Sequence, residues 1–159
     1  MSLDPNILLA DRFYGALAVG DGAAMQACYH PNVHFTDPVF DLQGNEAGAM
    51  WRMLTSQARD FRLEYKLLES APDRIRVHWE AWYRFSATGR AVHNVIEAEM
   101  QIRDGLIHRH RDRFDFWRWC RQALGLPGWL LGWSPTLQRK VQIQAATNLR
   151  RWRAKTDAR

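Results

Sequence analysis

The sequence predicts an α+β fold: helices at its start, packed on one face of a curved antiparallel sheet, and more helices at its end. Three observations carry this. Apolar residues recur at helical spacing up to about residue 58, then switch to the alternation of strands. The alternating stretch falls into four runs, near 61–71, 74–86, 91–102 and 106–117, separated by turn residues. Helical spacing returns after Trp117. Helices followed by a meander of consecutive strands is an α+β order.

Asp4-Pro5 opens the first helix, an N-cap carboxylate before a proline at the first helical position. Ile7, Ala10, Tyr14 and Leu17 form its stripe, with Phe13 beside them, and Gly20 stops it. Asp21 caps a shorter helix ending near Tyr29-His30-Pro31. Val33 to Asp37 reads as a short strand stopped by Pro38, and Val39 to Leu42 as another. Gly44-Asn45-Glu46 opens a third helix, with Ala47, Met50, Trp51, Leu54 and Ala58 on one stripe. Past the strands, Pro127 to Trp133 is a short apolar segment. Ser134-Pro135 then starts a final helix striped by Leu137, Val141, Ala145, Leu149 and Trp152. That stripe is expected to pack across the sheet or on a partner subunit; contact with a membrane surface is the alternative.

The turns suggest a register. A three-residue loop at Arg103-Asp104-Gly105 sets Arg109 against Glu99 and Arg111 against Glu97, opposite charges across the outer face. A hairpin at Thr88-Gly89 sets Val77 against Met100, Trp79 against Ala98, Ala81 against Ile96 and Tyr83 against Asn94. The shared inner face is then apolar except for Asn94, His110 and Asp112, the last two falling opposite Ala98 and Ile96. A buried carboxylate needs a partner, a hydrogen bond or a proton. Side chains two apart on a strand lie about 6.8 Å apart, so His110 and Asp112 either lean together into a buried hydrogen-bond network or leave space for a substrate or water between them. His108, His110 and Asp112 are also ligand types for zinc or iron, but no metal is expected.

At 159 residues, 47% hydrophobic and with eight tryptophans, the chain is expected to form one globular domain. Cys28 and Cys120 have no metal or redox spacing. Residues 134–159 carry seven Lys/Arg and one acid; the other 133 carry 15 basic and 16 acidic residues. The net charge of +5 therefore belongs to the final helix, and a nucleic-acid-binding body is not expected. With no membrane-length apolar run and no signal-peptide core, a cytoplasmic location is expected. No phosphate-binding glycine loop or nucleophile–histidine pair is visible.

Phe13-Tyr14-Gly15-Ala16-Leu17 before Gly20-Asp21, Phe35-Thr36-Asp37-Pro38, Gly44 before the third helix, and Arg103-Asp104-Gly105-Leu106-Ile107 leading to His110-Arg111-Asp112-Arg113-Phe114-Asp115 follow one another in a familiar order. In that order and spacing, residues 5–117 resemble the SnoaL-like and ketosteroid-isomerase-like members of the nuclear transport factor 2 superfamily. The segments Phe114-Asp115-Phe116-Trp117-Arg118-Trp119 and Gly128-Trp129-Leu130-Leu131-Gly132-Trp133 resemble a bacterial subgroup. The resemblance implies a cone of three helices on a strongly curved antiparallel sheet, a small-molecule pocket between them, and a homodimer packed through the outer sheet face. It does not imply one reaction.

Two relatives supply templates. Ketosteroid isomerase uses a carboxylate base with a tyrosine and a protonated aspartic acid as oxyanion hole. The resemblance places the base on Asp37, the tyrosine on Phe13, and the acid on Ala98 or Glu97, so the base is retained and the hole is lost. Limonene-epoxide-hydrolase-like enzymes place a water-activating aspartate at Asp112, an assisting asparagine at Asp37 and a tyrosine at Phe35. Their arginine–aspartate pair falls near Trp79 and Ala81, or near His78 and Glu80.

Catalysis is accordingly expected from Asp37, His110 and Asp112, without a cofactor. Tyr14, Trp51, Trp79, Tyr83, Asn94 and Phe114 are expected to line the pocket. The expected activity is isomerase, cyclase or hydrolase chemistry on an apolar, ring-containing substrate. The alternative is a non-catalytic binding or interaction module with a basic helical tail. The domain is expected to span residues 1–117 and the helical extension 118–159.

Overall fold

The computed structural model describes residues 4–157. In chain order it contains α1 (Pro5–Ala18), α2 (Gly22–Ala27), β1 (Tyr29–Thr36), β2 (Asp41–Gln43), α3 (Asn45–Gln57), β3 (Arg59–Ala71), β4 (Arg74–Arg84), β5 (Ala91–Arg103), β6 (Leu106–Arg113), α4 (Phe116–Leu124), α5 (Leu126–Leu131) and α6 (Pro135–Asp157). The strands form one sheet in the order β2-β1-β6-β5-β4-β3. This is the expected α+β cone with a C-terminal helical extension. The sheet is mixed, because β1 pairs with β6 in parallel.

Local chemistry explains the boundaries. Asp4 caps α1 by accepting the Asn6 amide at 2.8 Å, and Asp21 caps α2 by accepting that of Ala24 at 3.0 Å. α2 stops at Ala27, so Tyr29-His30-Pro31 belongs to β1 rather than to a helix end. The last strand is shorter than its alternation suggested. It ends at Arg113, and Asp115 turns the chain by accepting the Arg118 amide at 3.0 Å. Phe116 and Trp117 therefore begin α4. A capping aspartate reads like an outward strand residue until the helix behind it is recognised.

The register is displaced by two residues from the one the turns suggested. Asp104 and Gly105 both have positive φ, 54° and 73°, making a two-residue type I′ turn in place of a three-residue loop. A bulge near Ile102 adds the rest of the shift. Arg111 faces Glu99, Arg113 faces Glu97, and Arg109 faces Gln101. The β4–β5 loop is also longer than Thr88-Gly89: β4 and β5 close on Arg84 and Ala91, and Gly89 donates to the Phe85 carbonyl at 2.7 Å. An even slip leaves every side chain on its face, so inside and outside survive while the rows change. Two rows matter here. Ile75, Met100, His110 and Phe35 form one, and Val77, Ala98 and Asp112 form the next.

The core lies between α1, α3 and the inner sheet face. α6 does not cross the sheet. Its Leu149 is buried in the main core, Arg52 of α3 lies 5.4 Å over the Trp152 ring, and Gln138 and Gln142 donate to the Pro38 carbonyl at 3.1 and 3.0 Å. The apolar stripe of α6 is thus spent on the domain itself. His78, His93, Glu80 and Glu97 form an ion-pair cluster on the outer face.

Candidate functional site

His110 and Asp112 are joined directly. His110 Nε2 lies 2.9 Å from Asp112 Oδ1, with no room for a bridging molecule. Backbone spacing alone overestimates the gap, because an imidazole leaning along the strand covers most of it. On the far side of the ring, Nδ1 lies 2.8 Å from the Tyr29 hydroxyl. That hydroxyl accepts the Trp51 indole N–H at 2.7 Å, and the Trp79 indole donates to Asp112 Oδ1 at 3.4 Å.

The donors set the direction of this chain. An indole can only donate, so Tyr29 accepts from Trp51 and its own proton is free for His110 Nδ1. His110 then carries its proton on Nε2 and gives it to Asp112. Every polar group in the series then has a partner. Phe13 and Phe35 wall the ring edge-on, with centroids 5.5 and 4.9 Å away, and Trp51 stacks on it. His110 is 0% exposed and Asp112 4% exposed, so both are buried, and Asp112 alone of the two borders a cavity.

Asp37 stands beside Asp112. Phe35 pairs with His110 and Thr36 with Arg111, β1 ends there, and Asp37 just beyond it lines the same cavity as Asp112. Asp37 Oδ1 accepts the amides of Val39 and Phe40 at 2.7 and 2.6 Å, forming the turn that Pro38 enforces. Burial raises the Asp37 pKa to about 7; the two amides oppose that rise, the Asp112 charge adds to it, and His110 opposes it slightly. Two carboxyl groups with different surroundings thus share one end of β1 and β6.

A cavity of about 650 Å³ spans the C-terminal halves of β1 and β6. Most of its lining belongs to the outer sheet face, from His34, Thr36, Glu99, Gln101, Arg109, Arg111 and Arg113, and Asp37, Pro38, Asp112, Phe114 and Gln138 complete it at the strand ends. Of the residues expected to line a pocket, Phe114 does so. Tyr14, Trp51, Trp79 and Asn94 are buried in the packed interior, with Asn94 opposite Ala81 rather than Tyr83. The Tyr83 hydroxyl accepts the Trp119 indole N–H at 2.8 Å. Of the expected catalytic residues, Asp37 and Asp112 meet at the cavity and His110 stands behind Asp112. Among the described residues no group of three metal-ligand side chains is arranged to hold an ion; His108 turns instead to His30, centroids 5.2 Å apart.

Two parts of the site escaped the sequence. Tyr29 is the middle of the hydrogen-bond chain, yet it lies 81 residues from His110 and carries no local signal. Gln138 comes from α6, a hundred residues from the Pro38 corner it holds. The Tyr14 hydroxyl is a different case. It is fully buried, has no hydrogen-bond partner among the described residues, and its pKa is raised well above the ordinary value by burial and by the Asp112 charge. Removing an unsatisfied hydroxyl relieves a desolvation cost. Tyr14→Phe is expected to leave stability unchanged or raise it by roughly 1 kcal/mol in urea unfolding. A loss of that size instead would show that the hydroxyl has a partner.

The cone and its helical layer define a class of α+β protein, a curved sheet with helices packed on one face. The family model of the SnoaL-like domain matches residues 10–110, and the chain belongs to that family, within the nuclear transport factor 2-like fold. The match ends at His110, just before Asp112. No curated protein matches the chain. Among solved structures it is similar to a candidate polyketide cyclase from Silicibacter sp., with 18% identity, TM-score 0.67, and coverage of 77% of this chain and 98% of that one. It is similar to a protein of ketosteroid isomerase-like fold from Catenulispora acidiphila, in complex with trimethylamine, at 12% identity, TM-score 0.65, covering 76% and 94%. It is also similar to an epoxide hydrolase of limonene-epoxide-hydrolase type from M. tuberculosis, at 18% identity, TM-score 0.61, covering 80% and 96%. These likenesses show the fold. Among the described residues no helix is long and apolar enough to cross a membrane.

Proposed function

We propose that the chain binds a small, ring-containing molecule in the cavity beside Asp37 and Asp112 and moves a proton on it, as a cofactor-independent isomerase, cyclase or hydrolase. One observation carries this: two neighbouring carboxyl groups face one cavity in environments that separate their roles. Asp112, held by the His110 and Trp79 N–H groups, is the base. Asp37, with a pKa of about 7, keeps a proton to give to a developing oxyanion. His110 does not touch substrate; it is a positioning residue that fixes which way Asp112 points. Phe114 and Pro38 supply the apolar surface against which a ring can lie. In the same reading the protein is a cytoplasmic homodimer, with residues 1–117 forming the domain and 118–159 its extension.

A cyclic carbon acid such as 2-tetralone is a direct probe, with hydrogen–deuterium exchange next to its carbonyl followed by NMR in heavy water. The protein is expected to speed exchange, and Asp112→Asn to reduce that by about 10²-fold or more. The rate should fall as pH rises through about 7, where Asp37 loses its proton. The interior filled by Trp79, Trp51 and Tyr14 favours a second reading, a binding module without turnover. Saturable binding of the ketone with no faster exchange would establish that reading and end the first.

A further inference from the structure

We propose that α5 and the adjoining face of α4 form a docking surface for an anionic lipid bilayer. α5 is six residues long and turns nearly all its apolar side chains outward. Leu126, Trp129, Leu130 and Leu131 are 69%, 54%, 62% and 53% exposed, and Trp133 just beyond is 69% exposed. Such a contiguous apolar ridge is rare on the free surface of a soluble domain. Close packing of the two helices produces it. A Cβ at Gly128 would lie 2.0 Å from the Cys120 carbonyl oxygen, so only glycine lets α5 seat on α4 this way.

Beside the ridge lies an open basic cavity of about 560 Å³, lined by Arg90, Arg118, Arg121 and Trp129. The Arg121 guanidinium lies 4.4 Å from the Trp117 ring centroid and 4.8 Å from that of Trp129. Its Nε is buried and has no hydrogen-bond partner among the described residues. The wider charge agrees. Residues 116–156 contain eight Lys/Arg and no Asp or Glu. Tryptophan and leucine beside arginine suits the boundary between headgroups and acyl chains: the rings and methyls enter while the guanidiniums meet phosphates. A protein partner would need an equally acidic, apolar surface, and a second copy would bring two arginine clusters together. α6 is the more obvious basic helix, but its apolar stripe is already packed against the domain.

The test is co-sedimentation of the full chain with vesicles of phosphatidylcholine alone or mixed two to one with phosphatidylglycerol. Binding is expected only to the mixed vesicles, weakening as salt is added. Leu130→Ser/Leu131→Ser alters only exposed side chains; it should keep its circular dichroism and melting temperature yet lower vesicle affinity by about tenfold or more. Arg118→Gln, which leaves the Arg90 bond to the Gln122 carbonyl in place, should also lower vesicle affinity and flatten the salt dependence. Equal binding by the leucine variant would overturn the proposal, as would no binding by the native chain. So would a native dimer, seen by sedimentation velocity, that the leucine variant breaks without any vesicle binding: the ridge would then be covered by a second copy.

Discussion

Tyr29→Phe is expected to lower the free energy of unfolding by about 2–6 kcal/mol, although it removes a single oxygen. The oxygen is the junction of the buried chain. Without it the Trp51 indole N–H loses its acceptor and His110 Nδ1 loses its donor. Both groups sit where water does not reach, and each unpaired buried group costs about 1–3 kcal/mol. Equilibrium urea unfolding measures the loss. Tyr29→Phe/Trp51→Phe then separates the two orphans, because it deletes the indole donor together with its acceptor. The double variant should recover part of the loss relative to the sum of the single ones. A loss below about 1 kcal/mol for Tyr29→Phe would mean that the chain is not holding the site together.

Asp37→Asn should remove a pH dependence. In the unfolded chain Asp37 titrates in the ordinary carboxyl range; in the fold its pKa is about 7. Between those values the folded state holds the extra proton, so the contribution of Asp37 to stability falls as pH rises and levels off above about 7. Asparagine keeps an oxygen for the Val39 and Phe40 amides and cannot ionise. The variant should therefore match the native chain near pH 4 and exceed it at pH 8, by about 2–4 kcal/mol after allowance for partial exposure. The difference between the two chains, measured in urea from pH 4 to 8, isolates this group from all others that titrate. A variant that is less stable at pH 8, or that shows the native slope, would show that Asp37 is an ordinary surface carboxylate. The same proton is the one offered to substrate, so the pH at which the stability gap levels off should match the pH at which exchange of the ketone declines.

The periodicities of the sequence determine most of the fold. Alternation of apolar and polar residues fixes which face of β4, β5 and β6 is inside, and it does so whether or not the register is known. His110 and Asp112 could therefore be placed in the interior from the sequence. The order of helices and strands then leads to the cone, and the Asp37-Pro38 pair marks the turn where Asp37 sits.

Only the tertiary structure decides the rest. Register depends on turn geometry, and Asp104 adopting positive φ shifts β5 against β6 by a distance the side-chain pattern cannot sense. A slip of two preserves every face, so the pattern is blind to it. Yet it sets which residue stands beside Asp112. The parallel pairing of β1 with β6 brings Asp37 to the cavity that Asp112 lines and the Tyr29 hydroxyl to His110, joining positions more than seventy residues apart. The same is true of the pocket: periodicity shows that Tyr14, Trp51 and Trp79 face inward, but whether an inward ring lines a cavity or fills it depends on volume, and here they fill it. The end of β6 follows the same rule in reverse. Phe116 continues the alternation begun at His108, but the Asp115 cap and the helix behind it take that side chain out of the sheet. Sequence determines what a side chain prefers; packing of distant elements determines what it meets.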